Sequence, residues 1–487
     1  MDHRAVTPRP SRGGSLLSLL AVCGATVLTG CAAPIAGTPV SVFADPFQVG
    51  GLKAVDGPTG LRPDPKHATR TVENTDGSAA DRLASLAVSD LEEFWKFAEP
   101  DAFGTNFIPV QALLSWDSES TASRFCGEDA RGLVNAGFCP QDNTIGWDRT
   151  VLLPALQRLN GDMAVTTVLA HEYGHWIQDL AKLIPDNVPT LVAEQQADCF
   201  AGVYMRWVAE GKSPRFTLSS GDGLNTVLAT MIGFRDPVPV AGDPEATLNE
   251  HGSAFERISA FQFGFADGPP ACKAITAKEI HDRRGQLPVQ LRGDEDGERP
   301  ITEDSVRTVL EALNLVFAPA NPPALSFDPK TRCPDARSAT ATAFCPATNT
   351  ITVDLPALVE MGTPIPGDTS FTLQGDNTAY SALISRYMLA LEQEHGGVPL
   401  DNAEAGLRTA CLTGAATALL ATPVTTSSGS VVELTAGDLD EAVSGLLTSG
   451  LAASDVNGES VPAGFARIDA FRIGVLGQAA DCYARFN

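Results

Sequence analysis

Val168-Leu169-Ala170-His171-Glu172-Tyr173-Gly174-His175-Trp176-Ile177-Gln178 sits within the stretch from Met163 to Leu180, whose apolar residues Val165, Leu169, Tyr173, Trp176 and Leu180 recur every three or four positions. That period predicts one helix with an apolar stripe turned to a core. His171 and His175 are four apart, so they stand one turn above each other on the other side of the helix. Two imidazoles spaced in this way can point at one metal ion. The intervening Glu172, about 100° round the helix, reaches a water bound to that metal. His171 and His175 are therefore expected to hold Zn2+, with Glu172 as general base.

A catalytic zinc site takes a third protein ligand and leaves its fourth position to water. After a turn containing Pro185 and Pro189, a second helix is expected from about Thr190 to Glu210, stopped by Gly211. It carries Glu194 and Asp198 on one face, again four apart. This Glu-x-x-x-Asp resembles the segment that follows His-Glu-x-x-His in thermolysin-like zincins. A third stretch, His251-Gly252-Ser253-Ala254-Phe255-Glu256-Arg257, follows in order. Together with Glu194-Gln195-Gln196-Ala197-Asp198-Cys199-Phe200-Ala201-Gly202-Val203, the three stretches resemble the bacterial neutral zinc metallopeptidases, and within them the lipoprotein members. The resemblance covers the first domain and, for the lipoprotein members, the whole chain. It implies a mainly helical, zincin-like α+β domain, Glu194 as third zinc ligand, and Asp198 as the carboxylate that orients His171 through its free ring nitrogen. His251, from its place in the third stretch, is a candidate for a catalytic hydrogen bond to the developing oxyanion.

The rest of the chain reads as a duplication. Setting aside Cys23 and Cys31, eight cysteines remain, at 126, 139, 199 and 272 and at 333, 345, 411 and 482, with spacings of 13, 60 and 73 against 12, 66 and 71. Phe138 to Ile145 matches Phe344 to Ile351 at six of eight positions, and Phe255 to Phe261 matches Phe465 to Phe471 at five of seven. Two homologous domains are expected, a zinc peptidase domain over 79–275 and a degenerate copy over 300–487, joined by a linker over 276–299. Pairing within each copy leaves three choices per domain. The expected choice is Cys126–Cys139 and Cys199–Cys272, with Cys333–Cys345 and Cys411–Cys482 as counterparts. Aligning Tyr173 on Tyr387 places Ser385, Arg386 and Leu389 opposite His171, Glu172 and His175. Aligning the cysteines and the third stretch places Gly406, Ala410 and Val461 opposite Glu194, Asp198 and His251. Framework residues recur while every proposed catalytic residue is absent from the second copy, as expected for one functional unit. Glu394-His395 lacks a second histidine and is expected in a loop.

At the other end, Arg4, Arg9 and Arg12 precede an apolar run from about Leu16 to Leu28 that is too short to span a bilayer and of the length of a secretory signal. It closes on Leu28-Thr29-Gly30-Cys31, which resembles a bacterial lipobox, so residues 1–30 are expected to be removed and Cys31 lipidated. Residues 31–78, rich in Gly, Pro, Thr and Asp, are expected to be a flexible tether. The full chain carries Lys+Arg 34 and Asp+Glu 59, a net charge of −25. Removing Asp2 and three arginines leaves 31 basic and 58 acidic side chains, a net of −27. Such a charge repels nucleic-acid phosphate and anionic headgroups, so no nucleic-acid partner is expected and membrane attachment falls to the lipid.

The expectation is thus a membrane-anchored, extracytoplasmic zinc metalloendopeptidase acting on a peptide or protein substrate, its second domain free to hold a protein partner. Two alternatives use the same residues: a non-catalytic scaffold lipoprotein with a structural metal, and a zinc amidase acting on cell-wall peptides.

Overall fold

The computed structural model describes residues 45–120, 123–185, 187–242, 251–293, 297–328, 331–337, 341–364 and 373–486. The expected signal segment and Cys31 lie outside them. From Asp45 the chain passes through three two-residue strands, β1 (Gln48–Val49), β2 (Leu52–Lys53) and β3 (Gly60–Leu61). Val55 N–H donates to Ser220 Oγ at 3.1 Å, Leu61 N–H to Asp162 Oδ2 at 3.0 Å, and Glu73 bridges to Leu114. Within the expected tether the residues from Asp45 onward lack an apolar period, yet their backbone groups find partners 41 to 165 positions away, which composition does not reveal.

α1 (Ala79–Phe103) begins where Ser78 caps Asp81 N–H and ends at Gly104 in the left-handed region, φ 70°. β4 (Ala112–Trp116), the ribbon of β5 (Arg124–Phe125) and β6 (Glu128–Asp129), β7 (Ala136–Cys139) and β8 (Thr144–Asp148) follow. β8 is the middle strand of a three-stranded sheet, parallel to β4 and antiparallel to β7, so that Leu113 and Phe138 both stand opposite Ile145. α2 (Leu152–Asn160), α3 (Asp162–Ala181), α4 (Thr190–Ala209), β9 (Phe216–Thr217), α5 (Asp222–Gly233), α6 (Ala254–Asp267) and α7 (Pro269–Ala274) complete this half. The stripe of α3 is buried as its period predicts, with Val165, Leu169 and Tyr173 fully enclosed. Helix α3 packs between α1 and α4, so a segment read as amphipathic is covered on most of its circumference.

The expected linker over 276–299 is not all irregular chain. It contains α8 (Ala277–Arg284), capped by Thr276, whose Arg283 bonds Gln195 and whose Arg284 Nε bonds Glu256 Oε1 at 2.7 Å. Then α9 (Glu303–Phe317), β10 (Ala324–Ser326), β11 (Thr342–Cys345), β12 (Thr350–Val353), α10 (Leu355–Met361), α11 (Asp376–His395), α12 (Ala403–Leu419), α13 (Asp438–Thr448), α14 (Gly464–Leu476) and α15 (Ala479–Arg485) run in the order of the first half. β12 lies between parallel β10 and antiparallel β11, and Leu325 and Phe344 both stand opposite Ile351. Glu394 and His395 are the last two residues of α11 and not a loop, since the helix runs on until Gly396, at φ 70°, stops it. The architecture is mixed α+β and mainly helical.

Four disulfides pair Cys126–Cys139, Cys199–Cys272, Cys333–Cys345 and Cys411–Cys482, with Cα separations of 5.4–5.6 Å. In each half the helix that carries the first cysteine of the long bridge crosses its neighbour at two glycines. A Cβ on Gly202 would overlap the carbonyl of Phe261 and one on Gly264 that of Cys199; Gly414 and Gly474 meet Phe471 and Cys411 in the same way. The halves share a continuous apolar core. Phe265 and Phe465 pack at 5.1 Å, Gln262 Nε2 donates to Phe465 O at 3.0 Å, and the first turn of α6 is capped from the second half, where Asp440 Oδ1 accepts from Phe255 N–H at 2.9 Å. The described residues from Asp45 to Phe486 belong to one compact unit.

Candidate metal centre

Helix α3 presents His171 and His175 one turn apart, their rings edge to face with centroids 4.9 Å apart. α4, crossing below, presents Glu194. His171 Nε2 lies 3.1 Å from Glu194 Oε2 and His175 Nε2 lies 3.6 Å from Glu194 Oε1, and the three candidate ligand atoms are all within 4.8 Å of one another. Metal bonds of about 2.0–2.1 Å at tetrahedral angles place ligand atoms about 3.3–3.4 Å apart. The donor set, two imidazoles and one carboxylate, fits zinc in both chemistry and spacing.

The ring orientations are fixed from behind. His171 Nδ1 lies 2.7 Å from Asp198 Oδ1, so it carries the hydrogen and leaves Nε2 for a metal. Asp198 is fully buried and also takes both arms of Arg257, Nη2 to Oδ1 at 2.8 Å and Nε to Oδ2 at 3.0 Å. Gln178 does the same for His175: its Oε1 is 3.0 Å from Nδ1, while its Nε2 is anchored on Ala193 O at 2.6 Å. Burial opposes a charge on His171, but the Asp198 carboxylate and then Glu194 outweigh it and raise the imidazole to about 10 without metal. Burial of Glu194 is likewise overridden by hydrogen bonds to both histidines, which hold its carboxyl well below the usual range. A divalent ion replaces the shared proton in such a site.

Glu172 is half-buried beside the histidines, and the edge-strand Phe138 N–H donates to its Oε2 at 3.0 Å. Burial pushes its carboxyl up, against the pull of both imidazoles. His251 stands at the rim, its side chain 44% exposed and its Nε2 3.8 Å from Glu194 Oε2. Asp236 holds it with three bonds: Oδ2 accepts from His251 N–H at 2.6 Å and Gly252 N–H at 2.9 Å, and Oδ1 lies 3.1 Å from Nδ1. That contact raises the proton affinity of the ring over the opposing effect of burial.

The structure thus brings together His171, Glu172, His175, Glu194, Asp198 and His251. Sequence reasoning missed Asp236, Gln178, Phe138 and the role of Arg257. Gln178 stands three residues after His175, where a helix places neighbours, so it was findable. Asp236 lies in the irregular segment after α5, which carries no spacing signal.

The residues of the second half that align in sequence with Glu172, Glu194 and His251 are packed against one another or against backbone among the described residues. Arg386, fully buried, sends its guanidinium to Asp455 O at 3.1 Å, Leu451 O at 2.9 Å and Ser454 Oγ at 2.8 Å. Val461 closes on Gly406, where a Cβ would come within 2.9 Å of Val461 Cγ2.

Residues 1–275 match the family described as "Putative neutral zinc metallopeptidase". Among curated proteins, the uncharacterized protein YpfJ of Escherichia coli K12 is 24% identical over 230 residues, covering 44% of this chain and 77% of that protein. The uncharacterized protein Rv2575 of Mycobacterium tuberculosis H37Rv is 28% identical over 178 residues, covering 32% of this chain and 59% of that protein. No solved structure matches.

Proposed function

The chain belongs to the neutral zinc metallopeptidase family, and from that premise we propose that it hydrolyses peptide bonds outside a bacterial cell membrane, held there by a lipid on Cys31. The observation that carries the proposal is the meeting of His171, His175 and Glu194 within 4.8 Å from two crossing helices, with the Glu172 carboxylate close enough to interact with all three. Among the described residues this group offers three donors. Three protein ligands with a fourth position open is the catalytic arrangement, whereas a structural zinc takes four. That favours an enzyme over a scaffold with a structural metal.

Bound here, zinc supplies Lewis acidity to a carbonyl and lowers the pKa of a water to about 7. The protein's own groups do the rest. Glu172, its carboxyl raised by burial, takes a proton from the attacking water and returns it to the leaving amine. Phe138 N–H restrains one of its oxygens, so the other is left to face the water. Asp236, hydrogen-bonded to Nδ1, raises the proton affinity of His251, and in the protonated ring Nε2–H would donate to the oxygen that gains charge in the transition state. β7, the outer strand of its sheet, lies beside Glu172 and offers an edge along which an extended peptide would align.

We further infer that the chain is a tandem duplication of a thermolysin-like zincin domain whose second copy has lost its site. The matching strand order, disulfides and paired-glycine crossings support this. The second copy then serves the first, since Asp440 holds the start of the helix that follows His251. The test is Glu172→Gln in the mature chain, measured for zinc content and peptide hydrolysis. Full zinc with turnover lost by several orders of magnitude supports the role of Glu172. Undiminished turnover refutes it.

A further inference from the structure

Outside the zinc centre, four carboxylates of the second half converge at the N-terminus of α11: Glu298 before α9, Asp376 at the first position of α11, and Asp438 and Glu441 on the first turn of α13. Glu298, Asp376 and Asp438 line one cavity of about 280 Å³. Candidate ligand oxygens of Glu298, Asp376 and Glu441 all lie within 4.8 Å of one another.

The helix N-terminus explains part of this gathering. Asp376 N–H donates to Glu298 Oε2 at 3.1 Å and Asn377 N–H to Glu441 Oε2 at 2.7 Å, which caps the helix. Gly375 makes room, because any Cβ there would overlap the Glu441 carboxylate. Asp438 is satisfied by Thr435, N–H at 2.7 Å and Oγ1 at 2.9 Å. Asp376 is not. Its Oδ2 takes the Arg299 N–H, but Oδ1 is buried with no hydrogen-bond donor among the described residues, on a residue only 6% exposed. A buried carboxylate oxygen without a donor among the described residues, on a side chain grouped with the carboxylates of Glu298 and Glu441, calls for a cation and not another acid.

We propose that Glu298, Asp376 and Glu441 bind one calcium ion, with Asp438 adding charge at its edge. The donors are all oxygen, the choice of a hard cation. Two oxygens on one calcium at about 2.3–2.6 Å lie at most about 4.6–5.2 Å apart, which the observed spread meets. Metal-free, the cluster is strained electrostatically: burial, then repulsion among neighbours, pushes Asp438 up to about 8 and raises Glu441 further still, while burial alone dominates at Asp376, raised to about 7. The ion would lock the start of α11 to α13, the helix whose Asp440 caps α6. The site is independent of the zinc centre and of the reading placed on it.

The experiment uses the zinc-loaded mature chain, freed of calcium on a chelating resin with zinc content verified afterwards. Calcium chloride is titrated in by calorimetry and melting is followed with and without saturating calcium. Expected are one saturable site per chain and a melting temperature raised by several degrees, with magnesium at least tenfold weaker. Asp376→Asn and Glu441→Gln should each lose the calcium response. Both should melt no lower than the parent in calcium-free buffer, because each removes a repelling charge. No saturable calcium binding by the parent chain, equal affinity for magnesium, or variants that bind calcium like the parent would each overturn the assignment.

Discussion

Asp198→Asn separates the two tasks of one buried carboxylate. Asp198 is enclosed between the His171 imidazole, 2.7 Å away, and the Arg257 guanidinium, which grips both of its oxygens at 2.8 and 3.0 Å. The amide keeps the shape and can still accept from His171 Nδ1–H, but loses the charge. A metal histidine deprived of its carboxylate partner costs about 10–100-fold in metal affinity, roughly 1.4–2.8 kcal/mol. Stability suffers separately, because Arg257 is left as a buried cation without its counter-ion, a loss of about 3–5 kcal/mol. Adding Arg257→Met to Asp198→Asn removes the stranded charge. The double variant should regain most of the folding stability and none of the zinc affinity. The assay is competition for zinc against a chromophoric chelator at neutral pH, paired with urea unfolding of the zinc-free proteins. Zinc affinity of Asp198→Asn within twofold of the parent, or recovery of both properties together in the double variant, would refute the reasoning.

Other consequences can be checked on the same protein. Asp440→Ala strips the acceptor from Phe255 N–H at the interface of the halves and should cost about 1–3 kcal/mol in urea unfolding, with zinc content intact; an unchanged midpoint would deny the second half its supporting role. Gly264→Ala and Gly474→Ala each drive a methyl into a carbonyl of the helix crossed, and each should lose about 1–3 kcal/mol or more. If the crossings are equivalent the two losses are similar, and a neutral result at either would show that the backbones can part. The carboxyls of Asp376 and Asp438 stand above their unfolded values, so the folded state binds the extra protons. Their contribution to stability is present at low pH and is lost as pH rises from about 4 towards 8. In calcium-free buffer, the melting advantage of Asp376→Asn over the parent should therefore grow across that window; a constant difference would mean that Asp376 does not titrate there.

The parts of the site legible in the sequence are those written at short range. His171, Glu172 and His175 lie on one helix and Glu194 and Asp198 on the next, so a period of 3.6 residues brings each set to one face before any tertiary structure is known. The disulfide partners were legible because the spacing occurs twice. Asp236 was not, since a residue in irregular chain that reaches His251 across fifteen positions has no period to betray it. Asp440 acts from the other half, 185 residues beyond the backbone it caps. The segment from Asp45 to Ser78 and helix α8 were read as connection because their composition is polar and rich in breakers. Their places are set by backbone hydrogen bonds and by arginine pairs, which composition does not encode. Burial all round α3 was equally hidden, because the polar Thr166, Thr167 and Gln178 also lie inside.

The central claim is that two helices deliver three ligands to one zinc ion. Anomalous diffraction at the zinc edge, from crystals of the zinc-loaded chain, tests it directly. The account predicts a single strong peak about 2.0–2.2 Å from His171 Nε2, His175 Nε2 and a carboxylate oxygen of Glu194, with Glu172 within reach but not bound. A zinc peak that omits Glu194, or that lies on other residues, would contradict it.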